Sequence, residues 1–382
     1  MKKTVIILIM LLFTLGLFGE NHWRKVGQPL RGERVWGPTL AFDSSGEMFV
    51  GFREQTYVEN TNGSYYASVR RYDSISKTWL YVGEPKFSPR IAEWGCVSFA
   101  IDSKDELFFS LLPRKNDSFQ TVMTYDNSSE SWIYLSDNLP EDGRCATLSS
   151  DNDGVLHVVF LKRSEITVMK YNRESLHWEI IGNPGFANSA SNEFPMSLVF
   201  DKDNRPLVAF GESENENDSF NLTVMAYNKE LNVWEGVGKE GFVRFKPSLS
   251  MVVAGENDLF VAFTSENDTN VQVMQYDKTS LAWQVLPGSE FREQYDRVNL
   301  GIDNSDSLFI SLLSYSDTKT KIMKYDFPTS SWDMIGEEID TICDVPVFND
   351  NNTPFVSCTD SDGILTVLTF DDQPDDPDTG DS

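Results

Sequence analysis

The chain has few of the residues that carry most enzyme chemistry, and it has little positive charge. Only three histidines and four cysteines occur in 382 residues, and no Cys-x-x-Cys pair is present. His22, His157 and His177 fall in different parts of the chain, so their spacing predicts neither a metal site nor a catalytic triad. No glycine-rich phosphate loop leads from a strand into a helix, and no cofactor is expected.

Positive charge is outnumbered almost two to one. Lys and Arg total 32 against 59 Asp and Glu, which gives a formal net charge of −27. Such a chain repels nucleic acid and anionic lipid, so we expect neither as a partner. At 40% hydrophobic and 13% aromatic residues, the composition still permits a packed core.

Long apolar runs are absent except at the N-terminus. Lys2 and Lys3 precede an almost unbroken apolar run over residues 5–18, and Gly19 offers a small residue for cleavage. The run is shorter than the about 20 residues that span a bilayer. We therefore expect a signal peptide over residues 1–19, no membrane insertion, and a mature protein that is secreted, either extracellular or periplasmic.

One phrase recurs along the chain: an apolar strand ending in Tyr, a polar turn, and a Trp that opens another strand. The two aromatic residues are seven apart in all six copies, which are Tyr72 and Trp79, Tyr125 and Trp132, Tyr171 and Trp178, Tyr227 and Trp234, Tyr276 and Trp283, and Tyr325 and Trp332. A constant spacing indicates a rigid hairpin with a fixed turn.

A second hairpin lies upstream of each copy, and its first strand usually ends in Asp. The residues at this place are Asp43, Asp102, Asp151, Asp201, Asp303 and Asp350, whereas the fifth unit has Ala254 and Gly255. Each unit thus holds four antiparallel strands over about 50 residues, which is typical of one β-propeller blade.

The strand count predicts how the ring closes. Seven upstream hairpins, which we call the first hairpins of their units, are followed by only six complete Tyr–Trp hairpins, because no Trp follows Phe370 at the repeat distance. The segment around Trp23 matches the missing strand. We therefore predict an all-β, seven-bladed β-propeller over residues 20–371, with the N-terminal strand closing the last blade beside Phe370. Residues 372–382 form an acidic tail that we expect to be disordered. An open β-helix or other solenoid is the alternative architecture.

The region from about residue 22 to 371 resembles the seven-bladed β-propeller superfamily, and within it the kelch, galactose-oxidase-like and sialidase-like secreted propellers. The resemblance is one of architecture, carried by the four-strand unit with its Tyr and Trp. The chain lacks the double Gly of kelch repeats, the Gly-His and Trp-Asp pattern of WD repeats, and the Ser-x-Asp-x-Gly-x-Thr-Trp box of sialidases. The resemblance therefore implies a fold and transfers no catalytic residue.

One face of the predicted ring collects the loops that vary in length. Binding residues gather on such loops when a rigid scaffold holds them. The candidate ligand-binding residues on this face are Arg34, Trp36, Arg90, Trp94, Arg144, Glu193, Arg244 and Arg297. Arg and Trp around a central funnel can hold an acidic sugar or a peptide carboxylate through bidentate hydrogen bonds and ring stacking. Neutral loop drift and blade-to-blade packing, with each Arg paired to a carboxylate, are the structural alternatives.

The four cysteines permit two disulfides in an exported chain. The expected turn near Asp350 places Cys343 opposite Cys358, within reach of a cross-strand disulfide. Cys96 and Cys145 hold equivalent places in adjacent units and could also be bridged, while four buried free thiols are the alternative. The Asp-rich turns of the first hairpins, such as residues 151–154, are interpreted as turn formers rather than calcium loops.

These observations favour a non-enzymatic recognition module that binds a glycan or an extracellular protein and acts as a monomer. A glycan-processing hydrolase or lyase of sialidase-like type is one alternative, with Tyr295 and Glu193 cast as nucleophile and acid. A plain protein-interaction scaffold is the other. A Tyr–Glu hydrogen bond beneath three convergent Arg side chains would favour the enzyme, whereas Arg side chains that are each paired to a carboxylate would favour the scaffold.

Overall fold

A computed structural model describes residues 22–30, 34–56, 63–92, 97–113, 120–135, 139, 143–189, 196–212, 220–265, 270–291 and 293–371. The regular structure of these residues is entirely β, so they include no helix capable of crossing a membrane. They form a β-propeller, as the repeat predicts. The expected signal peptide and acidic tail lie outside the described residues.

Three antiparallel sheets come first in the chain, and each is a meander of neighbouring strands. The first sheet holds β2 (Val35–Phe42), β3 (Met48–Thr56), β4 (Ser64–Asp73) and β5 (Thr78–Tyr81). The second holds β6 (Ser98–Ile101), β7 (Leu107–Leu111), β8 (Thr121–Asp126) and β9 (Ser131–Tyr134). The third holds β10 (Gly143–Ser150), β11 (Leu156–Lys162), β12 (Glu165–Asn172), β13 (His177–Ile180) and the short β14 (Ala187–Asn188).

The fourth sheet has eight strands and contains two meanders. They are β15 (Ser197–Phe200), β16 (Pro206–Glu212), β17 (Phe220–Asn228) and β18 (Val233–Gly236), followed by β19 (Val243–Ala254), β20 (Asp258–Ser265), β21 (Val271–Asp277) and β22 (Ala282–Val285). Pairing of β17 with β19, where Asn221 lies opposite Arg244, joins the two meanders into one hydrogen-bonded sheet. The predicted number of seven blades stays a prediction at this point.

The last two sheets complete the ring of described strands. The fifth holds β23 (Arg297–Ile302), β24 (Leu308–Ser314), β25 (Lys319–Asp326) and β26 (Ser331–Met334). The closing sheet holds β27 (Ile342–Cys343), β28 (Val347–Phe348), β29 (Pro354–Thr359), β30 (Leu365–Asp371) and, from the other end of the chain, β1 (His22–Lys25).

The N-terminal strand closes this last sheet, which confirms the predicted pairing. β1 runs antiparallel to β30, and Trp23 lies opposite Phe370. The closing sheet then packs on both of its neighbours. Val356 and Trp23 share a core cluster with Ile322 of the fifth sheet, while Leu365 shares one with Val50 of the first sheet.

Five of the seven Trp residues on the outer strands tie their meander to the one before it, whereas the indole N–H groups of Trp178 and Trp332 have no partner among the described residues. Trp23 donates its indole N–H to the carbonyl of Ile335 in the fifth sheet at 3.1 Å. The same bond runs at 2.8–3.0 Å from Trp79 to Val26, from Trp132 to Val82, from Trp234 to Ile181 and from Trp283 to Val237. Because Trp23 makes this contact too, the N-terminal strand serves as one more outer strand of the repeat. A buried indole also contributes a large apolar area to each interface.

The turns of the first hairpins are held by their own acidic side chains. Asp151 accepts hydrogen bonds from the backbone N–H groups of Asp153 and Val155 at 3.0 and 2.8 Å. This supports the interpretation of these residues as turn formers. In the closing sheet, however, the residue in this role is Asn349 and not Asp350, because Asn349 accepts from Asn351 and Thr353. The predicted position was wrong by one residue there, since an Asn side chain serves the turn as well as an Asp.

Neighbouring turns are also hydrogen-bonded to each other. In each case an Asp or Asn with a left-handed backbone conformation accepts, through its side-chain oxygen, a hydrogen bond from a backbone N–H of the preceding turn at 2.7–2.9 Å. These bonds run from Ser44 to Asp105, from Asn152 to Asn204, from Lys202 to Asn257, from Gly255 to Asp306 and from Asn304 to Asn352. Each is worth about 1 kcal/mol, and together they fasten the sheets along one face of the ring.

The closure contact makes a testable prediction about stability. Trp23 is 8% exposed, so Trp23→Ala is expected to lower the free energy of unfolding by about 3–5 kcal/mol through loss of buried indole contacts. The matched control is Trp36→Ala, because Trp36 is 44% exposed and its removal should change stability by less than about 1 kcal/mol. Urea unfolding measures both. Equal effects would contradict the closing role of β1.

A second prediction concerns the glycine that follows the outer strand. Gly182 has φ +70°, and a Cβ there would lie 2.9 Å from Cδ1 and Nε1 of Trp234 in the next meander. Gly46 is the matched control, with φ +80° and no atom within 4 Å of the place that a Cβ would take. Both alanine variants carry the backbone cost of about 1–2 kcal/mol. Gly182→Ala should cost about 1–3 kcal/mol more because it also overpacks the interface, and equal losses in urea unfolding would refute that interface contact.

Candidate functional site

A cavity of about 270 Å³ lies where three sheets meet, and we call it the seam cavity. Its wall is built from all three sheets. The first sheet contributes residues 35–38, the fifth sheet and its following loop contribute Arg297 and Tyr315, and the closing sheet contributes Asp344, Ser357 and Thr359. The cavity forms where the closing sheet meets its two neighbours. The seam cavity brings together two of the predicted site residues, Trp36 and Arg297.

A β-bulge presents Trp36 to this cavity. The register between β2 and β3 shifts between Trp36 and Thr39, and Gly37 in the bulge has φ +57°. A bulge re-aims a side chain relative to a regular strand, and a left-handed residue favours glycine. Trp36 is consequently 44% exposed, whereas the repeat Trp residues are buried or nearly so. An indole that is half in water at a cavity wall offers a flat apolar surface to a ligand.

Arg297 and Asp344 supply opposite charges to the seam cavity. Burial alone would lower the pKa of the Arg297 guanidinium. Asp344 and Tyr315 act in the opposite direction and outweigh burial, so the pKa is raised. For Asp344, burial raises the pKa of the carboxyl, while Arg297 and the N–H of Val345 act in the opposite direction. Among the described residues, Arg297 forms no ion pair within 4.0 Å, and part of its side chain stays open to solvent although its neighbours desolvate the guanidinium. A guanidinium has five N–H donors, so donors of Arg297 remain for a ligand.

Two hydroxyl groups in the cavity wall have no hydrogen-bond partner within the described part of the chain. They are Ser357 Oγ and Thr359 Oγ1 on β29, and both atoms are buried. The Ser357 side chain belongs to a residue that is only 1% exposed. A buried polar group without a partner costs about 1–3 kcal/mol. Each oxygen has less than 1 Å² of accessible surface, so a ligand or ordered water would recover that energy only after a rotation of the side chain turned the hydroxyl toward the cavity.

A disulfide borders the same cavity and confirms one of the two predicted bridges. Cys343 lies opposite Cys358 in the pairing of β27 with β29, and their sulfur atoms are bonded. The bridge fixes the strand that precedes Asp344 against the strand that carries Ser357. Cys96 lies outside the described residues and the side chain of Cys145 is not described, so the second bridge stays a prediction.

The other predicted binding residues are not gathered at the seam cavity. Arg90 donates to the carbonyl of Gly63 at 3.1 Å, and Arg244 lies on β19 opposite Asn221. Arg34 precedes β2 and does not line the cavity. Arg144 is on β10 opposite Leu161, and nothing is described of its side chain. The remaining two, Trp94 and Glu193, fall outside the described residues.

A second cavity, of about 340 Å³, contains Tyr295 and Glu293. The enzyme alternative named Tyr295 with Glu193 as the acid, and Glu193 lies outside the described residues. Tyr295 donates its hydroxyl to Glu293 at 2.8 Å, and Lys321 lies 2.5 Å from Glu293 and 3.0 Å from Glu338. Burial, followed by the hydrogen bond to Glu293, raises the pKa of Tyr295 to about 12. The cations that line this cavity are Lys319 and Lys321, and no Arg is among its described lining residues. A nucleophilic tyrosine needs easier ionisation, which this surrounding does not provide.

The sequence did not single out Tyr315, Asp344, Ser357 or Thr359. Tyr315 follows a strand like many other loop residues, and Asp344 stands between two strand segments. Ser and Thr are also frequent on strands whose hydroxyls are satisfied. A signal existed only for Asp344, which lies next to Cys343 and therefore near the predicted disulfide. The unsatisfied hydroxyls become visible only when three sheets are assembled.

Comparison with solved structures shows the same fold. A fungal alcohol oxidase of the AA5 family, in complex with copper, superposes with a TM-score of 0.60 at 11% identity, covering 92% of this chain and 76% of the oxidase. An ulvan lyase, a polysaccharide lyase, gives a TM-score of 0.59 at 11% identity over 93% and 96% of the two chains. The WD40 β-propeller domain of Doa1 gives 0.52 at 12% identity over 91% and 96%.

These similarities define the class of protein as a β-propeller and show the fold alone, because the identities are so low. No protein-family profile matches the chain, and no curated protein matches it either. The residues of the cavities must therefore carry the functional argument.

The raised pKa of Tyr295 makes a prediction about pH. A pKa of about 12 in the folded state, against 10.0 for the free side chain, means that the neutral phenol stabilises the fold fully below pH 10. This contribution is lost as the pH rises toward 12. The difference in unfolding free energy between the wild type and Tyr295→Phe should therefore shrink over that range, as followed by urea unfolding. A difference that stays constant, or grows, would contradict the burial of Tyr295 and its hydrogen bond to Glu293.

Proposed function

We propose that this protein is a non-enzymatic recognition module that binds a glycan in the seam cavity. The single observation that carries the proposal is the combination, in one cavity, of the exposed Trp36 with two buried hydroxyls that lack partners among the described residues. Sugar rings present an apolar face and a set of hydroxyls. An indole surface next to unsatisfied Ser357 and Thr359 complements both features.

Arg297 and Asp344 extend this complementarity. A guanidinium donates hydrogen bonds and a carboxylate accepts them. A sugar hydroxyl can therefore accept from Arg297 and donate to Asp344. The ulvan lyase with the same fold was determined bound to a glucuronate–rhamnose sulfate repeat. That similarity is one of fold, and it supports the proposal only as an example of a propeller that holds a sugar chain.

We also propose the finer architectural and cellular features that the sequence predicts. Seven blades are supported by the two meanders of the eight-stranded sheet, each with its own Tyr–Trp hairpin, in which Tyr227 pairs with Trp234 and Tyr276 with Trp283. Export behind a signal peptide over residues 1–19 is supported by the disulfide, since disulfides persist in oxidising compartments. A propeller over residues 20–371, a tail over 372–382 and a monomeric state complete the proposal.

Glycan-processing chemistry is the second candidate, because Tyr295 and Glu293 are in hydrogen-bond contact. The lysines in that cavity and the raised pKa of Tyr295 oppose it. A plain protein-interaction scaffold would need Arg297 to be ion-paired, and no such pair forms among the described residues.

The proposal predicts that glycan capture depends on the seam cavity. On a glycan array, Trp36→Ala should reduce binding by about fivefold or more, since stacking on an aromatic ring contributes about 1 kcal/mol. The matched control is Tyr134→Ala, because Tyr134 is 57% exposed on the outer strand β9 and should bind as the wild type does.

Two results would contradict the proposal. A blank array for the wild type would remove the glycan, and capture of a protein segment that is lost in Trp36→Ala would replace it with a peptide ligand. Turnover of a captured glycan that is abolished by Tyr295→Phe would instead favour the enzyme.

A further inference from the structure

We infer that the sugar recognised in the seam cavity is a single neutral pyranose unit rather than an acidic sugar. This inference rests on the proposed function and adds the chemical class of the ligand. It departs from the expectation, drawn from five Arg residues, of a carboxylate-binding funnel. The reason is that, of those five Arg residues, only Arg297 is among the described residues that line the cavity.

The balance of charge in the seam cavity is not positive. Arg297 is the one cation among its described lining residues, whereas Asp344 and Asp360 are both acidic. Arg34, Arg90 and Arg244 do not line it, and Arg90 is already bonded to the carbonyl of Gly63. An anionic sugar would also approach a chain with a net charge of −27. Favourable steering of an anion requires charge of the opposite sign around the site.

Arg297 shares the cavity with the carboxyl of Asp344, although the two side chains are not within ion-pair distance. Asp344 faces it from the closing sheet and raises the pKa of the guanidinium. Asp344 is held in place, because its Oδ1 accepts from the N–H of Val345 at 3.0 Å and from Asn299 Nδ2 at 3.4 Å. A uronate bound to Arg297 would bring a second negative charge close to this fixed carboxylate. A neutral hydroxyl can accept from Arg297 without that repulsion.

The unsatisfied hydroxyls point to the same class of ligand. Ser357 Oγ and Thr359 Oγ1 can each donate and accept, and sugar hydroxyls can do the same. A uronate keeps its ring hydroxyls but has a carboxylate in place of the C6 hydroxyl, and a carboxylate only accepts, so at that position it could not donate to Asp344 or Asp360. At about 270 Å³, the cavity lies at the small end of ligand pockets, which run from about 300 to 1,000 Å³. One ring stacked on Trp36 is therefore the size of ligand that the cavity favours.

Binding of matched sugar pairs tests this inference. The probes are the methyl pyranosides of glucose, galactose and mannose, each paired with the corresponding methyl uronate, titrated against the full mature chain to about 50 mM by NMR or calorimetry. At least one neutral pyranoside is expected to bind at least about tenfold more tightly than its uronate. Its affinity should fall in Trp36→Ala and Ser357→Ala, and Tyr134→Ala serves as the control.

Removal of one charge gives the sharper arm of the experiment. Asp344→Asn keeps the shape of the side chain and removes the carboxyl that a uronate would meet beside Arg297, so uronate affinity should rise by at least about fivefold. A salt titration gives an independent readout, because binding of a neutral ring should not weaken as salt screens charges.

The outcomes separate this inference from the proposed function. A uronate that binds the wild type as tightly as its neutral partner, with loss in Trp36→Ala, would overturn neutrality and leave glycan binding intact. Failure of both classes to bind, together with a blank glycan array, would overturn the proposed function itself. Neutral binding that survives both Trp36→Ala and Ser357→Ala would place the sugar elsewhere and overturn the inference. Urea unfolding identifies variants that fail to fold. For those, the affinities of the wild-type protein for each neutral sugar and its uronate still test the inference.

Discussion

The antiparallel pairing of β1 with β30 is the contact on which the rest of the structure depends. It joins the two ends of the chain in one sheet, with Trp23 opposite Phe370. That sheet can then pack on both the first and the fifth sheets, and the seam cavity forms at the place where all three meet. The proposed binding surface therefore spans three sheets, and no single repeat unit contains it.

Repetition of a few contacts accounts for the packing between sheets. A Trp donates its indole N–H to the preceding meander, and a left-handed Gly next to that carbonyl leaves room for the aromatic rings. A Phe four residues after this Gly often stacks on the Trp, as Phe186 does on Trp234 with ring centroids 4.3 Å apart. Two copies depart from the pattern, because the indole N–H groups of Trp178 and Trp332 have no partner among the described residues. At those two places the indole ring contacts the apolar core without the hydrogen bond.

Local periodicity made much of the fold predictable. The constant Tyr-to-Trp spacing implied a hairpin register, and all six pairs lie opposite one another, from Tyr72 with Trp79 to Tyr325 with Trp332. The same reasoning placed Trp23 beside Phe370 and Cys343 opposite Cys358. These contacts depend on strand alternation and short turns, which the sequence records directly.

The site was predictable only in part, because it depends on distances between sheets. Trp36 and Arg297 stood out as an aromatic residue outside the repeat and a charge before an inner strand. Asp344 and the hydroxyls of Ser357 and Thr359 carry no comparable signal, since their meaning comes from what surrounds them. The five Arg residues looked like one cluster in the sequence, but the described chain brings only Arg297 to the seam cavity. Blade position does not determine where a long side chain ends.

Cross-linking across the closure tests the central claim most directly. Arg24 lies opposite Thr369 in the closing sheet, whereas Thr366 lies opposite Cys358. The double variant Arg24→Cys with Thr369→Cys should form a disulfide on mild oxidation, found by peptide mapping. Arg24→Cys with Thr366→Cys, whose partners are out of register, should not. Free thiols in the first variant, or equal cross-linking in both, would contradict closure of the ring by the N-terminal strand.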